Sequence, residues 1–324
     1  MCWYRLLSRP SNRGPGSRAT QPDEVSLVHR RGSLGLLRTA AGAPILNERR
    51  LIAKTEVIYS LQPFIDERPI AAAPSPEFTA RFSQALPLWG LLELLGDWSS
   101  GDDLVTADEI GQYQGLTLYQ TTVDLTGPGV LTVGEVRDRA QVFLNRQAIG
   151  VLARDHHDRS LPFPNGARGR LELLVEDQGR VNYGPRIGEP KGLIGPVTVN
   201  GEHLRSWQVL PLTLDDVAPA AEALRSQPAG TVTALAGPSF ARAVFDLPSA
   251  SDLYLSTAGL GKGIAWINGF CIGRYWSRGP QRTLYVPGPA TRQAGNELII
   301  LELHSAASDA AVFVSFSDLG HTEH

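Results

Sequence analysis

The chain has 324 residues, 42% hydrophobic and 19% charged, with a net charge of −3, the balance of an ordinary globular protein with room for about two domains. No apolar run approaches the roughly 18 residues that span a membrane. Its two cysteines, Cys2 and Cys271, stand at opposite ends, which excludes a disulfide framework and, with no apolar leader, points to a cytoplasmic setting.

Residues 1–54 hold ten Arg or Lys against three Asp or Glu, a net of +7. The aromatics of MCWYRLLSRPSNRGPGSRAT do not alternate with its basic residues as a nucleic-acid stacking platform requires. We therefore expect residues 1–65 to be a disordered basic arm with no nucleic-acid or membrane role. Twenty-seven Arg against three Lys mark a GC-rich coding sequence, whose out-of-frame reading would also yield Arg, Pro, Gly and Ser. Further on, LPLWGLLELLGDW (86–98) has helical apolar spacing and is expected at a sandwich edge.

The strongest internal signal is a repeat. VFLNRQAIG (142–150) matches AWINGFCIG (265–273), with Asn145 and Asn268 followed at one offset by Ile149-Gly150 and Ile272-Gly273. Arg159 and Arg282 each open a further match, RSLPFP and RTLYVP. GRLELLVE (169–176) and GNELIILE (295–302) close the copies after a three-residue length difference, with Glu176 and Glu302 at equivalent ends. Two copies of one supersecondary unit explain these offsets. Short β-branched and aromatic runs bounded by Gly, Pro and Asn read as antiparallel strands. The expected fold is all-β, two tandem jelly-roll sandwiches over 66–212 and 213–324, joined by a linker with a short helix. In IAWIN, Ile264, Trp266 and Asn268 face one way, and Ala265 and Ile267 the other. Asn268-Gly269 is a hairpin turn, since both residues tolerate positive φ; Asn145, Gly150 and Gly273 belong to the same structural hairpins.

Several patterns imitate active sites. GLGKG (259–263) precedes a strand, whereas a phosphate loop must open a helix. RDHHDR (154–159) reads as a solvated hairpin tip, with no third ligand at metal-binding spacing; no metal or cofactor is expected. Asn47-Glu48 in PILNERR is an acid/base pair of the kind retaining barrel glycosidases use, yet no βα repeats surround it. Trp266, Arg274, Tyr275, Trp276, Arg278 and Arg282 form the remaining candidate, a galactose-facing surface. The competing reading packs the aromatics in the core and turns the Arg side chains to backbone carbonyls.

GKGIAWINGFCIGRYWSRGPQRTLYVPGP, followed by GNELIILEL, resembles the C-terminal signature of glycoside hydrolase family 35 β-galactosidases. LVTADEIGQYQGLTLYQTT (104–122), DRAQVFLNRQAIGVL and GRVNYGPRIGEPKGLIGPVTVNGEHLRSWQVLPL are similar to that family's first β-domain, so the likeness covers residues 66 to 318. RLIAKTEVIYSLQPF (50–64) resembles its last barrel helix. The resemblance implies galactose-binding-like jelly rolls behind a catalytic (β/α)8 barrel that releases terminal β-galactose without a cofactor. No position here matches either catalytic glutamate, so neither carries over. Cys271 replaces the family's usual Asn, Glu189 its usual Asp before Lys191-Gly192, and Arg146 its usual Gly. The expectation is a non-catalytic β-galactosidase portion; the alternatives are a stand-alone galactoside-binding module and a structural subunit on a separately encoded barrel.

Overall fold

The computed structural model describes residues 25–30, 33–38 and 74–320. Within the arm expected to lack regular structure, β1 (Val25–Arg30) and β2 (Ser33–Arg38) pair as an antiparallel hairpin. The other expectations for residues 1–73, Asn47-Glu48 and the helix over 50–64 among them, lie outside the described residues.

Residues from 74 onward open with β3 (Phe78–Pro87) and one turn of helix, α1 (Leu92–Leu95), which ends at Gly96. The first sandwich follows: β4 (Ser99–Gly101), β5 (Gly115–Asp124), β6 (Gly129–Arg137), β7 (Arg139–Leu144), β8 (Gln147–Ala153), β9 (Ser160–Phe163), β10 (Arg168–Asp177), β11 (Gly192–Val199), β12 (Glu202–His203) and β13 (Trp207–Leu212). A six-stranded sheet ordered β4-β13-β5-β10-β7-β8 stacks on a four-stranded one ordered β12-β11-β6-β9. Tyr119, Val142 and Leu173 meet Leu131, Val133 and Val197 between them. Helix α2 (Ala218–Arg225) then leads into β14 (Leu235–Ala236), β15 (Ser239–Phe245), β16 (Leu253–Ser256), β17 (Lys262–Ile267), β18 (Phe270–Trp276), β19 (Thr283–Val286), β20 (Asn296–Glu302), β21 (Ser305–Ala306) and β22 (Ala310–Val314). The main order is β18-β17-β20-β15-β3-β22-β16-β19.

Strand β3 departs from the expected division. Placed with the first sandwich by its position in the chain, it belongs to the second: Phe82–Pro87 pairs with β15 and Phe78–Arg81 with β22. Its ten residues pass from one layer of the jelly roll to the other at a bulge, and a bulge bends a strand in this way. The second sandwich therefore closes only when a segment from before the first sandwich threads into it.

The repeat is visible in the backbone. Strands β7 and β8 carry a bulge between Val142 and Phe143, and β17 and β18 carry one between Ala265 and Trp266, so Ile149 and Ile272 hold the same extra position. Val133 donates its amide to the Arg159 carbonyl at 2.8 Å, and Thr257 donates to that of Arg282 at 2.9 Å. Asn145, Arg146 and Asn268 have φ of 51°, 66° and 50°, and Gly269 has 85°, the hairpin geometry that Asn and Gly favour. One detail corrects the sequence alignment. Asn145 N bonds to Arg170 O and Asn268 N to Glu297 O, both at 2.8 Å, which lengthens the second copy by one residue more than the text suggested. Glu176 then corresponds to Leu303, not to Glu302. Because strand side chains alternate with period two, that slip exchanges faces: Glu302 shares the side of Leu298 and Ile300, inside the second sandwich.

A third core lies between the sandwiches. Leu118, Phe143 and Leu174 from the first meet Trp266, Ile299 and Leu301 from the second, and α1 and α2 close the edges with Leu92, Leu95, Ala220 and Leu224. Phe143 and Trp266 are repeat equivalents, so each copy contributes its aromatic to the same seam. The 86–98 segment packs here through Leu88 and Leu91 as a 3-10 turn and a single α turn, not as one long helix. Gly263 has no room for a side chain, since a Cβ there would meet the Leu301 carbonyl and the Tyr275 ring. Replacing fully buried Trp266 with Ala is expected to cost about 3–5 kcal/mol. Urea unfolding of the purified variant measures this, and a loss below about 1 kcal/mol would contradict the placement of Trp266 in the seam core.

Candidate functional site at the seam

The seam ends in charge. On β7, Arg139, Gln141 and Phe143 share the face turned to the seam; on β17, Lys262, Ile264 and Trp266 do the same. Arg139 stands to Phe143 as Lys262 stands to Trp266, so both copies set a cation four residues before the buried aromatic. Glu176 is the cross-strand neighbour of Arg139, yet its Oε1 receives the Lys262 Nζ of the other sandwich at 2.9 Å, with Arg274 Nη1 at 3.7 Å. Burial pulls the Lys262 amine below its ordinary pKa; Glu176 opposes that shift, and Arg274 and Arg139 add to it.

Trp276 stands in the middle of these cations. Lys262 Nζ lies 4.0 Å from its ring centroid, Arg278 Cζ 4.5 Å and Arg139 Cζ 5.3 Å, distances at which the indole quadrupole attracts a cation. Arg278 also reaches Asp155 of the first sandwich at 3.0 Å, and Arg274 donates to the Asp177 carbonyl at 2.5 Å. Glu302 takes hydrogen bonds from the amides of Gly261 (3.0 Å), Lys262 (2.9 Å) and His304 (2.9 Å), and from the Tyr275 hydroxyl (3.0 Å). The GLGKG loop thus does present amides to an anion, and the anion is the protein's own carboxylate. Burial and that carboxylate hold the Tyr275 phenol well above its ordinary pKa. His304 Nε2 lies 3.4 Å from Arg139 Nη2. Burial, then Arg139, Lys262 and Arg278, push its imidazole down to about 4.

A cavity of ≈ 410 Å³ opens beside this cluster, lined by Glu176, Lys262, Arg274, Trp276, Gln178 and Gln281 among others. Of the six residues expected to form a sugar surface, Arg274, Tyr275 and Trp276 line it. Trp266 is sealed in the seam core, Tyr275 is buried in the second sandwich, and Arg278 is engaged by Asp155. Arg282 is exposed, its backbone tied to Asp318 and Thr257. The structural asparagines act as turn locks: Asn145 Oδ1 accepts the Arg170 amide, and Asn268 Oδ1 accepts that of Glu297, each at 2.9 Å. Gly150 and Gly273 sit at their bulges. Sequence reading missed Arg139, Lys262 and His304. Carrying the repeat offset a few residues upstream would have set Arg139 on Lys262, a signal in a chain with so few lysines. Glu176 is held by Lys262, and Glu302 by the Gly261, Lys262 and His304 amides and the Tyr275 hydroxyl.

A second cluster fixes the 105–115 and 178–192 loops on the first sandwich. Buried Lys191 reaches Asp138 at 2.6 Å, Glu189 clasps Arg154 at 2.5 and 3.1 Å, and Arg180 binds Asp108 at 2.6 Å. Held on these loops, Tyr113 and Tyr183 are 64% and 89% exposed. At the RDHHDR tip His156 is exposed between Asp155 and Asp158.

Tandem antiparallel sandwiches packed through an apolar seam define an all-β protein built of two sandwiches. Residues 105–213 match the family described as β-galactosidase, first all-beta domain, and residues 238–296 the family described as β-galactosidase, galactose-binding domain. The chain is 34% identical over 232 residues to a β-galactosidase of Xanthomonas manihotis, covering 68% of this chain and 36% of that one. It is 32% identical over 246 residues to β-galactosidase-1-like protein 2 of Homo sapiens (74% and 38%) and 32% over 216 residues to β-galactosidase 1 of Dictyostelium discoideum (61% and 32%). The chain belongs to the β-galactosidase family through its C-terminal β-domains, and it spans about a third of the length of these relatives.

Two outcomes follow from the polar end. Glu176→Gln leaves the Lys262 charge buried without its carboxylate and is expected to cost about 3–5 kcal/mol in urea unfolding; an unchanged midpoint would contradict the pairing. His304 has a depressed folded pKa of about 4 against roughly 6.5 when unfolded, so the unfolded state binds the extra proton between them. Its contribution to stability is complete above pH 6.5 and is lost as pH falls toward 4. His304→Gln should flatten that part of the curve of urea midpoint against pH, and identical curves would refute it.

Proposed function

We propose that this chain is the non-catalytic β-domain body of a glycoside hydrolase family 35-type β-galactosidase. It supports a (β/α)8 barrel that hydrolyses terminal β-galactosides, and it does not hydrolyse them by itself. The tandem match to the two β-galactosidase domains carries this reading. The geometry supports it in two ways. Glu176 and Glu302 are taken up by Lys262 and by the Gly261–His304 donors, and the seam joins both sandwiches into one body fit to act as a brace. Tyr113 and Tyr183, on loops fixed by ion pairs, offer a docking face for the barrel.

A chimera tests it: residues 74–320 replace the matching segment of the Xanthomonas manihotis enzyme. The chimera is expected to cleave p-nitrophenyl β-galactoside, while the chain alone gives only the uncatalysed rate. Turnover by the chain alone, or a folded chimera with no activity, would sink the proposal. A second reading, a stand-alone galactoside-binding module, is favoured by the ≈ 410 Å³ cavity and its Gln178, Gln281 and Thr257 groups. Galactose titration of the chain by calorimetry separates the two: the brace reading expects no heat of binding at millimolar sugar, and saturable binding abolished by Gln281→Ala would favour the module.

A further inference from the structure

The ≈ 410 Å³ cavity beside the seam is lined by three charged side chains, Glu176, Lys262 and Arg274. They are not equally presented to it. The Lys262 and Glu176 side chains are 6% and 8% exposed and meet at 2.9 Å, whereas that of Arg274 is 38% exposed. Arg274 Nη1 donates to the Asp177 carbonyl and lies 3.7 Å from Glu176 Oε1; its Nε and Nη2 have no hydrogen-bond partner among the described residues. These two nitrogens form the edge of a guanidinium whose parallel N–H bonds fit a carboxylate.

The neutral polar lining suits hydroxyls. Gln178 and Gln281 offer side-chain amides; Gln281 Nε2 donates to the Thr283 carbonyl at 2.7 Å, which leaves its Oε1 to accept. Thr257 is 6% exposed, and its hydroxyl has no hydrogen-bond partner among the described residues. Each of these groups can donate to or accept from a hydroxyl. What the cavity lacks is an uncommitted aromatic face. The Trp276 ring already carries Lys262 at 4.0 Å, Arg278 at 4.5 Å and Arg139 at 5.3 Å, and Tyr275 is buried with its hydroxyl on Glu302. A neutral sugar that depends on stacking finds no platform here, so a ligand of this site has to be anchored by charge. The volume falls in the range of small-ligand pockets.

We infer that this cavity binds a sugar acid, a uronate of monosaccharide size whose carboxylate lies on the Nε–Nη2 edge of Arg274 and whose hydroxyls meet Gln178, Gln281 and Thr257. The Glu176 carboxylate does not oppose it, because Lys262 compensates that charge at 2.9 Å. The inference rests on the second reading above, that the cavity takes a sugar, and changes the ligand class from a neutral galactoside to an acid. The bracing role of the two sandwiches does not depend on it.

The test titrates the whole chain by calorimetry at neutral pH and fixed ionic strength with galacturonate, its uncharged methyl ester, galactose and acetate. Galacturonate is expected to bind about tenfold tighter than the ester or galactose, the scale of one charge-assisted pair. Acetate, which has the charge without the hydroxyls, is expected to bind about tenfold more weakly than galacturonate. Arg274→Gln is expected to bring galacturonate down to the level of galactose. Galactose binding as tightly as galacturonate would leave the second reading standing and overturn the sugar acid; silence from both sugars would overturn the two together. Acetate binding as tightly as galacturonate means a bare carboxylate site and also overturns the proposal, as does a galacturonate affinity unchanged in Arg274→Gln. If that variant fails to fold, galacturonate against its methyl ester decides, because the ester removes the same charge from the ligand's side.

Discussion

Each sandwich has its own core, but each also carries one sheet that is apolar on both faces, and a sheet of that kind cannot end in water. Strand β17 shows the constraint directly: Ala265 and Ile267 fill the second sandwich, while Ile264 and Trp266 on the other side need equal cover. The first sandwich has the same need along β5, β7 and β10 through Leu118, Phe143 and Leu174. Packing the two sheets against each other removes both faces from water at once, and the hydrophobic gain scales with that area. Relative motion is the default for domains joined by small polar contacts; a seam with the character of a core removes that freedom.

An apolar seam by itself is permissive, because leucines and aromatics slide past one another at modest cost. The charged end supplies the register. Lys262 must meet Glu176 and Arg274 must reach the Asp177 carbonyl, and a displacement of one residue would leave buried charges without partners. Trp276 adds a further restraint, since its indole is contacted by cations from both sandwiches, Arg139 on one side of the seam and Lys262 and Arg278 on the other. The arrangement favours specificity over raw stability, as buried ion pairs commonly do.

Much of this was legible beforehand. Turn chemistry and period-two alternation are local, so the hairpins at Asn145 and Asn268 and the two faces of IAWIN could be read from a few residues each. The membership of β3 could not: its partners β15 and β22 lie more than 150 residues away, and nothing in FTARFSQALP distinguishes one half-buried sheet from another. The register of β20 was misread for a related reason. Matching glutamates, Glu176 and Glu302, drew the alignment together by letter, whereas the pleat sorts residues by face, and on that criterion Glu176 pairs with Leu303. The candidate sugar surface was gathered correctly as a neighbourhood, but adjacency in sequence sends Tyr275 and Trp276 to opposite sides of one strand. The cations around Trp276 come from three separate segments, and only the repeat offset linking Arg139 to Lys262 hinted at them.

The duplicated unit also clarifies how a galactose-binding-like fold can be occupied. An isolated jelly roll has an outward sheet face and a rim of loops, and either can host a ligand; fold alone does not choose. Here the outward face of β17 and that of its own counterpart β7 share one core, and the aromatic that each copy places there, Trp266 or Phe143, is buried in it, Phe143 against Trp89 and Trp266 near Phe240. Trp276, at the rim, is engaged by protein cations. Mutual docking therefore claims the surfaces that a solitary sandwich would keep free, and the exposed aromatics that remain are divided: Tyr113 and Tyr183 sit on the loops of the first sandwich, and Phe270 at the β17–β18 hairpin, Tyr285 on β19 and Phe316 beyond β22 belong to the second. A partner that reads this body through aromatic contacts has both sandwiches to read, with the two most exposed rings, Tyr183 and Tyr113, on the first.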